Sequence, residues 1–119
     1  IYYMYLFLFM IFASLSRKNF INTKNKFGLQ DLVQVHHIIP LEWQKHKNLK
    51  YYNVHKGYNL IFLPTKKGSA EINTIRRVHE GGHPNYNRYI LYLLDKNEDP
   101  FIFSKEIRNK LILNEEIPW

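Results

Sequence analysis

Two short apolar segments rich in β-branched residues, each stopped by a proline, and a later stretch with helical spacing predict an α+β fold. The segments are residues 32–39 (LVQVHHII, before Pro40) and 59–63 (NLIFL, before Pro64), and the helical spacing begins at Pro84. With 119 residues the chain has the length of one domain. A core of about 100 residues buries roughly 60–70% of its unfolded surface, enough for one modest hydrophobic interior.

Residues 1–16 carry no charge. As a helix they would span about 24 Å, short of a hydrocarbon core of about 30 Å. The segment fits a targeting or anchor remnant, such as the end of a signal peptide before Arg17-Lys18, and equally a spurious upstream translation. A signal remnant would make the protein secreted or delivered; otherwise it is cytoplasmic. Residues 17–31 (RKNFINTKNKFGLQD) are polar and basic and read as a linker. The domain proper is expected over 32–119, with its motif core at 33–94.

Within it, 32–39 reads as a strand because it alternates loosely and is β-branched. Residues 41–50 suit a short helix with Pro40 at its first position, and 51–58 a turn-bearing connection. The second strand is 59–63, and 65–82 is loop with one helical turn. From Pro84, Tyr86, Tyr89, Ile90, Leu93 and Leu94 recur at spacings of three and four. A last helix is expected from Ser104, as N-cap, to Leu113. Leu91, Leu93, Leu94, Ile107, Leu111 and Ile112 are core candidates. Trp43, Tyr51 and Tyr52 are suited to covering that core, with base stacking as the alternative.

Hydrophobic residues at 45% and charged residues at 23% describe a globular chain, not a disordered one. The absence of cysteine excludes disulfide scaffolds, thiolate zinc sites and cysteine nucleophiles. The net charge is +7, and it is unevenly placed. Residues 17–94 carry 13 basic and 4 acidic residues, whereas 95–119 carry 4 and 6. Lysine-rich composition partly follows codon usage, but the positive segment also holds all six histidines. A polyanionic partner is implied.

Three clusters carry chemistry: His36-His37 on the first strand, Asn59 opening the second, and His79-Glu80-Gly81-Gly82-His83 before the long helix. Adjacent strand residues point to opposite faces, so a shared site for His36 and His37 calls for a bulge near Pro40 or for rings of different reach. The third cluster matches the H-E-x-x-H zinc-protease pattern, which needs both histidines one turn apart on a continuous helix. Two glycines in that helix and Pro84 directly after His83 oppose it. A glycine turn placing His83 at the mouth of the helix and His79 just upstream fits better, and the two imidazoles then reach one metal. His46 and His55, in the polar connection, are expected at the surface.

Taken together, Val35-His36-His37-Ile38-Ile39-Pro40, Asn59-Leu60-Ile61-Phe62-Leu63-Pro64 and His79-x-Gly-x-His83-Pro84-x-Tyr86 resemble the AHH group of HNH/endonuclease VII-type nucleases, the His-Me finger or ββα-metal enzymes. Val35 departs from the family's name-giving alanine. The resemblance implies a small His-Me finger domain, a β-hairpin plus helix around one divalent metal with flanking helices. It makes His36, His79 and His83 metal ligands, as colicin-type DNases present two ligand histidines four residues apart. His37 becomes the general base, and Asn59 the residue that orients that base or its loop. Tyr86 matches a family position open to packing or phosphate contact.

The chemistry agrees with these residue types. An imidazole titrating near neutrality is a suitable base if it is not itself a ligand, and one cation can neutralise a phosphoryl oxygen and the leaving group. Mg, Mn, Zn and Ni remain open as that cation. Arg76, Arg77 and Arg88 can add charge stabilisation or steer phosphate, and Lys66 and Lys67, with Lys45, Lys47, Lys50 and Lys56, suit backbone contact. The expectation is a metal-dependent endonuclease acting on nucleic acid, DNA before RNA. The alternative is a catalytically inactive, basic nucleic-acid-binding module of the same fold. A zinc peptidase using Glu80 ranks behind both. The family is often the toxic end of a delivered polypeptide paired with an immunity protein, and a stand-alone nuclease is equally compatible.

Overall fold

The structure, a computed structural model, describes residues 17–119. The apolar segment at 1–16, with the targeting or anchor reading attached to it, lies outside the described residues. Among the described residues no helix is long and apolar enough to cross a membrane.

The polar stretch read as a linker begins instead with helix α1, Arg17–Lys26. Only one side chain of that helix is buried, Phe20, which packs on Phe62 with ring centroids 5.1 Å apart. A single apolar anchor leaves no periodicity to read, so the helix depends on tertiary packing rather than propensity. Strand β1 follows at Val33–His37 and pairs antiparallel with β2 at Leu60–Pro64, as the two strands of one hairpin-like sheet. The register sets Val33 against Pro64, His36 against Ile61 and His37 against Leu60. The ladder runs regularly through both histidines, so the bulge considered above is not used. Pro64 closes the ladder inside β2, an edge position where its missing N–H costs little.

The connection between the strands holds three 3-10 turns, Leu41–Trp43 and Lys47–Leu49 in place of the one helix expected over 41–50, and Gly57–Asn59 just before β2. Pro40 flanks the first in extended conformation. His46 interrupts the run: its Nδ1 accepts from the Asn48 N–H at 3.1 Å and its Nε2 meets Asp95 at 2.9 Å. The expected surface histidine is thus a half-buried anchor, whereas His55 is exposed. Tyr52 is buried and Trp43 half-buried as expected, but Tyr51 stands 83% exposed and covers no core.

After β2, Thr65 caps helix α2, Lys66–Glu71, by accepting from the Gly68 N–H. Helix α3 spans Pro84–Asp95, with His83 as its N-cap residue and Pro84 in its first turn. Helix α4 starts at Pro100, not at Ser104, because Asp99 accepts from the N–H groups of Phe101 and Ile102. Ser104 is buried inside that helix and bonds back to the Phe101 carbonyl. Asn114, left-handed at φ 52°, ends it.

Side chains of β2 (Ile61, Leu63), α3 (Tyr86, Ile90, Leu94) and α4 (Phe103, Ile107, Leu111) meet in one core with Ile38 and Ile39. Leu93 and Ile112 pack on its edge, and Leu91 is half-buried. Arg108 ties α4 to the entry of β2 by donating to the carbonyls of Gly57, Tyr58 and Leu60. The hairpin and α3 are thereby fixed side by side, which the histidine site requires.

Candidate metal centre

His36 leaves β1 on its inner face and is 2% exposed. His79 reaches the same place because its backbone N–H donates to the Pro64 carbonyl, prolonging the edge of β2 by one bond. The chain then turns through Gly81, at φ +50°, a conformation that favours glycine. His83 arrives at the first turn of α3. The three rings form a near-equilateral triangle, with centroids 5.2, 5.2 and 5.1 Å apart. One nitrogen from each lies within 4.8 Å of the others.

Two of the three rings are held towards the neutral form. Burial first, then the neighbouring His79, His83 and His37 rings, hold His36 well below the usual histidine range. Burial and then His83 lower His79. His36 Nε2 is fully buried and finds no hydrogen-bond partner among the described residues. An isolated buried acceptor of that kind costs about 1–3 kcal/mol unless something meets it. Three imidazoles that bring one nitrogen each within 4.8 Å of the others fit a divalent transition-metal cation; magnesium prefers oxygen ligands.

His37 points to the other face of the ladder, yet the strand ends there and the chain folds over at Ile38–Pro40. It consequently borders the same cleft, of about 280 Å³, together with His36, His79 and His83. Burial, followed by Arg17 and His55, lowers its pKa to about 4. Its Nε2 is buried and unpartnered among the described residues, and its ring lies 6.4 Å from that of His55.

The hydrogen bonds of the Asn59 side chain go to residues other than His37. Asn59 is fully buried, and its Oδ1 accepts from the Ile39 N–H at 2.7 Å and from the Tyr52 hydroxyl at 2.7 Å. Its Nδ2 donates to the Ile39 and Val54 carbonyls, and its own carbonyl accepts from the Ile38 N–H. It thus fixes the loop that leaves His37. Tyr86 is also fully buried, donating to the Ile38 carbonyl and packing 5.0 Å from His36. Its place is behind the histidine triad, with no surface left open to phosphate.

Residues 79–83 form no helix, so the geometry on which the zinc-protease pattern depends is absent. Glu80 is exposed, and its carbonyl accepts from Trp119 Nε1. The basic candidates scatter. Arg76 donates to the Phe62 carbonyl and is half-buried. Arg77 lies over the Trp119 ring at 4.3 Å. Arg88 is exposed beside Asn85, and Lys66 and Lys67 stand exposed on α2.

Three residues of the site escaped the sequence reading. Trp119 stacks on His36 at 5.7 Å and 29° and packs against His79, His83 and Tyr86, walling the triad on the side away from the cleft. Nothing in its position marks it beforehand. Asn87 and Glu42 line the cleft with the histidines. The spacing of four from His83 to Asn87 on a helix was a usable signal for the first.

No curated protein and no solved structure gives a significant match to the chain. A sequence profile for AHH, described as a nuclease family of the HNH/ENDO VII superfamily with conserved AHH, matches residues 17–99. With that match over most of its length, a two-stranded hairpin and a helix meeting at a histidine triad, the chain belongs to the AHH nuclease family.

Proposed function

We propose that this nuclease is a metal-dependent endonuclease in which His36, His79 and His83 hold one divalent cation and His37 is the general base. The observation carrying the proposal is the approach of three possible ligand nitrogens to within 4.8 Å of one another, beside a fourth histidine that lines the same cleft and whose buried Nε2 has no hydrogen-bond partner among the described residues. A cation bound there supplies Lewis-acid relief of charge on the phosphoryl oxygens and the leaving group.

The chain's own residues do the remainder. His37 is neutral at pH 7 and takes a proton from water at Nε2. A phosphodiester arriving in the cleft brings negative charge that raises the basicity of that imidazole towards its working range. Asn59 holds the loop after His37, and Tyr86 and Trp119 exclude water from the far side of the triad. Arg77, Arg88, Lys66 and Lys67 steer the phosphate backbone, so cleavage weakens as salt rises. Arg76 is committed to the Phe62 carbonyl and supports the strand.

The test is nicking of supercoiled plasmid, and in parallel cleavage of RNA, with and without EDTA. His37→Ala is expected to abolish cleavage with metal affinity nearly intact, whereas His83→Ala lowers both. Equal loss of metal in the two variants would overturn the assignment of roles. Nucleic-acid binding without cleavage under any divalent cation would favour the inactive binding module instead.

A further inference from the structure

We infer that Asn87 and Glu42 form a relay that fixes the ring tautomer of His83 and so presents its Nε2 to the cation. The inference rests on the metal-centre reading above and adds the positioning residues to it. His83 Nδ1 lies 2.8 Å from Asn87 Oδ1, and Asn87 Nδ2 lies 2.6 Å from Glu42 Oε1. An amide can be turned either way round, so its orientation has to come from its partners. Here one partner decides it. An ionised carboxylate only accepts hydrogen bonds, so Glu42 requires the NH₂ end of Asn87 to face it. The carbonyl end is left facing His83 and can only accept. His83 must then carry its proton on Nδ1, and its lone pair sits on Nε2.

The relay also joins the three parts of the site. Glu42 belongs to the turn following His37, and Asn87 to the first turns of α3. Trp43 Nε1 donates to the Asn87 backbone carbonyl at 2.9 Å, holding that turn against the helix whatever side chain stands at 87. Ligand histidines generally need such an outer partner, and its loss lowers metal affinity by about 10–100-fold. Asn87 is a positioning residue; it has no role at the reacting atoms.

The experiment measures zinc affinity of the full chain by chelator competition, and the His83 tautomer from ring 15N shifts in the metal-free protein. Asn87→Leu, close in size and without hydrogen-bonding groups, is expected to lose about 10–100-fold in zinc affinity and to show mixed tautomers. Asn87→Asp alone sets two carboxylates against each other and is expected to weaken binding too. The double variant Asn87→Asp/Glu42→Gln reverses the bond between positions 87 and 42, since glutamine donates to aspartate, and keeps the bond to His83, from which aspartate accepts. It is expected to restore both the Nδ1–H tautomer and the affinity, a rescue that damaged folding would not give. An unchanged tautomer and affinity in Asn87→Leu, or no rescue by the double variant, overturns the relay while leaving the metal centre standing. Failure of the wild-type chain to bind zinc overturns both.

Discussion

Asn59→Ala tests the relation between the buried amide and the site most sharply. Asn59 is fully buried and meets Ile39 through both its N–H and its carbonyl, Val54 through its carbonyl, and Tyr52 through its hydroxyl. Truncation leaves the Ile39 N–H and two carbonyls without partners in a space too dry for easy replacement by water. At about 1–3 kcal/mol for each unmet buried group, partly offset by relaxation, the loss is about 3–5 kcal/mol. A domain of this size has about 5–15 kcal/mol in all. The variant should therefore fold marginally and unfold at a much lower urea midpoint. Asn59→Asp sharpens the test, because it keeps the acceptor but turns a second oxygen towards two carbonyls. That buried carboxyl should prefer to stay protonated, so the variant's deficit relative to wild type should be smallest in acid and grow as pH rises. The readout is urea unfolding followed by circular dichroism at several pH values. An Asn59→Ala midpoint corresponding to less than about 1 kcal/mol of destabilisation would refute the reasoning and return Asn59 to a direct role beside His37.

The remaining predictions use the same domain. In EDTA, stability should fall as pH drops below about 6.5 and should keep falling towards pH 4. The folded-state pKa values of His36, His37 and His79 all lie below the unfolded value, so the unfolded chain binds more protons there; a flat or rising urea midpoint over that window refutes it. Zinc at about 100 times its dissociation constant should stabilise the wild-type chain by about 2.7 kcal/mol and should not stabilise His36→Ala, as read by thermal melts with and without metal. Gly68→Ala should be among the most damaging single changes remote from the histidines, because its added carbon would run into the Leu32 backbone carbonyl; a melting temperature within a degree or two of wild type counts against the packing of α2 on β1.

The strands and the principal helix were legible because their signals are local: β-branched runs, a proline at the mouth of a helix, spacings of three and four. What escaped was decided elsewhere in the fold. Helix α1 is held by Phe20 meeting Phe62, a contact between residues 20 and 62 that no window on either sequence reveals. The single helix expected over 41–50 is divided by His46, whose partner Asp95 lies on α3. Asp99, followed at once by Pro100, offered the same kind of signal as Ser104 and was the true cap. Of the site, the histidines could be read as chemistry because their spacing is unusual. Trp119, Asn87 and Glu42 carry ordinary side chains and gain meaning only from the neighbours the fold gives them.

The triad has a consequence for how the domain holds together. His36 and His79 are 43 positions apart in the sequence, and between them run β2, α2 and the turns that precede them. If a cation is held as proposed by these two and by His83 at the mouth of α3, it would work as a removable staple between the hairpin and that helix, closing a long loop by coordination where a cysteine-free chain has no covalent means to do so. Catalytic competence and mechanical integrity would then rise and fall with one occupant. A cell starved of that ion would hold a polypeptide both idle and easier to degrade.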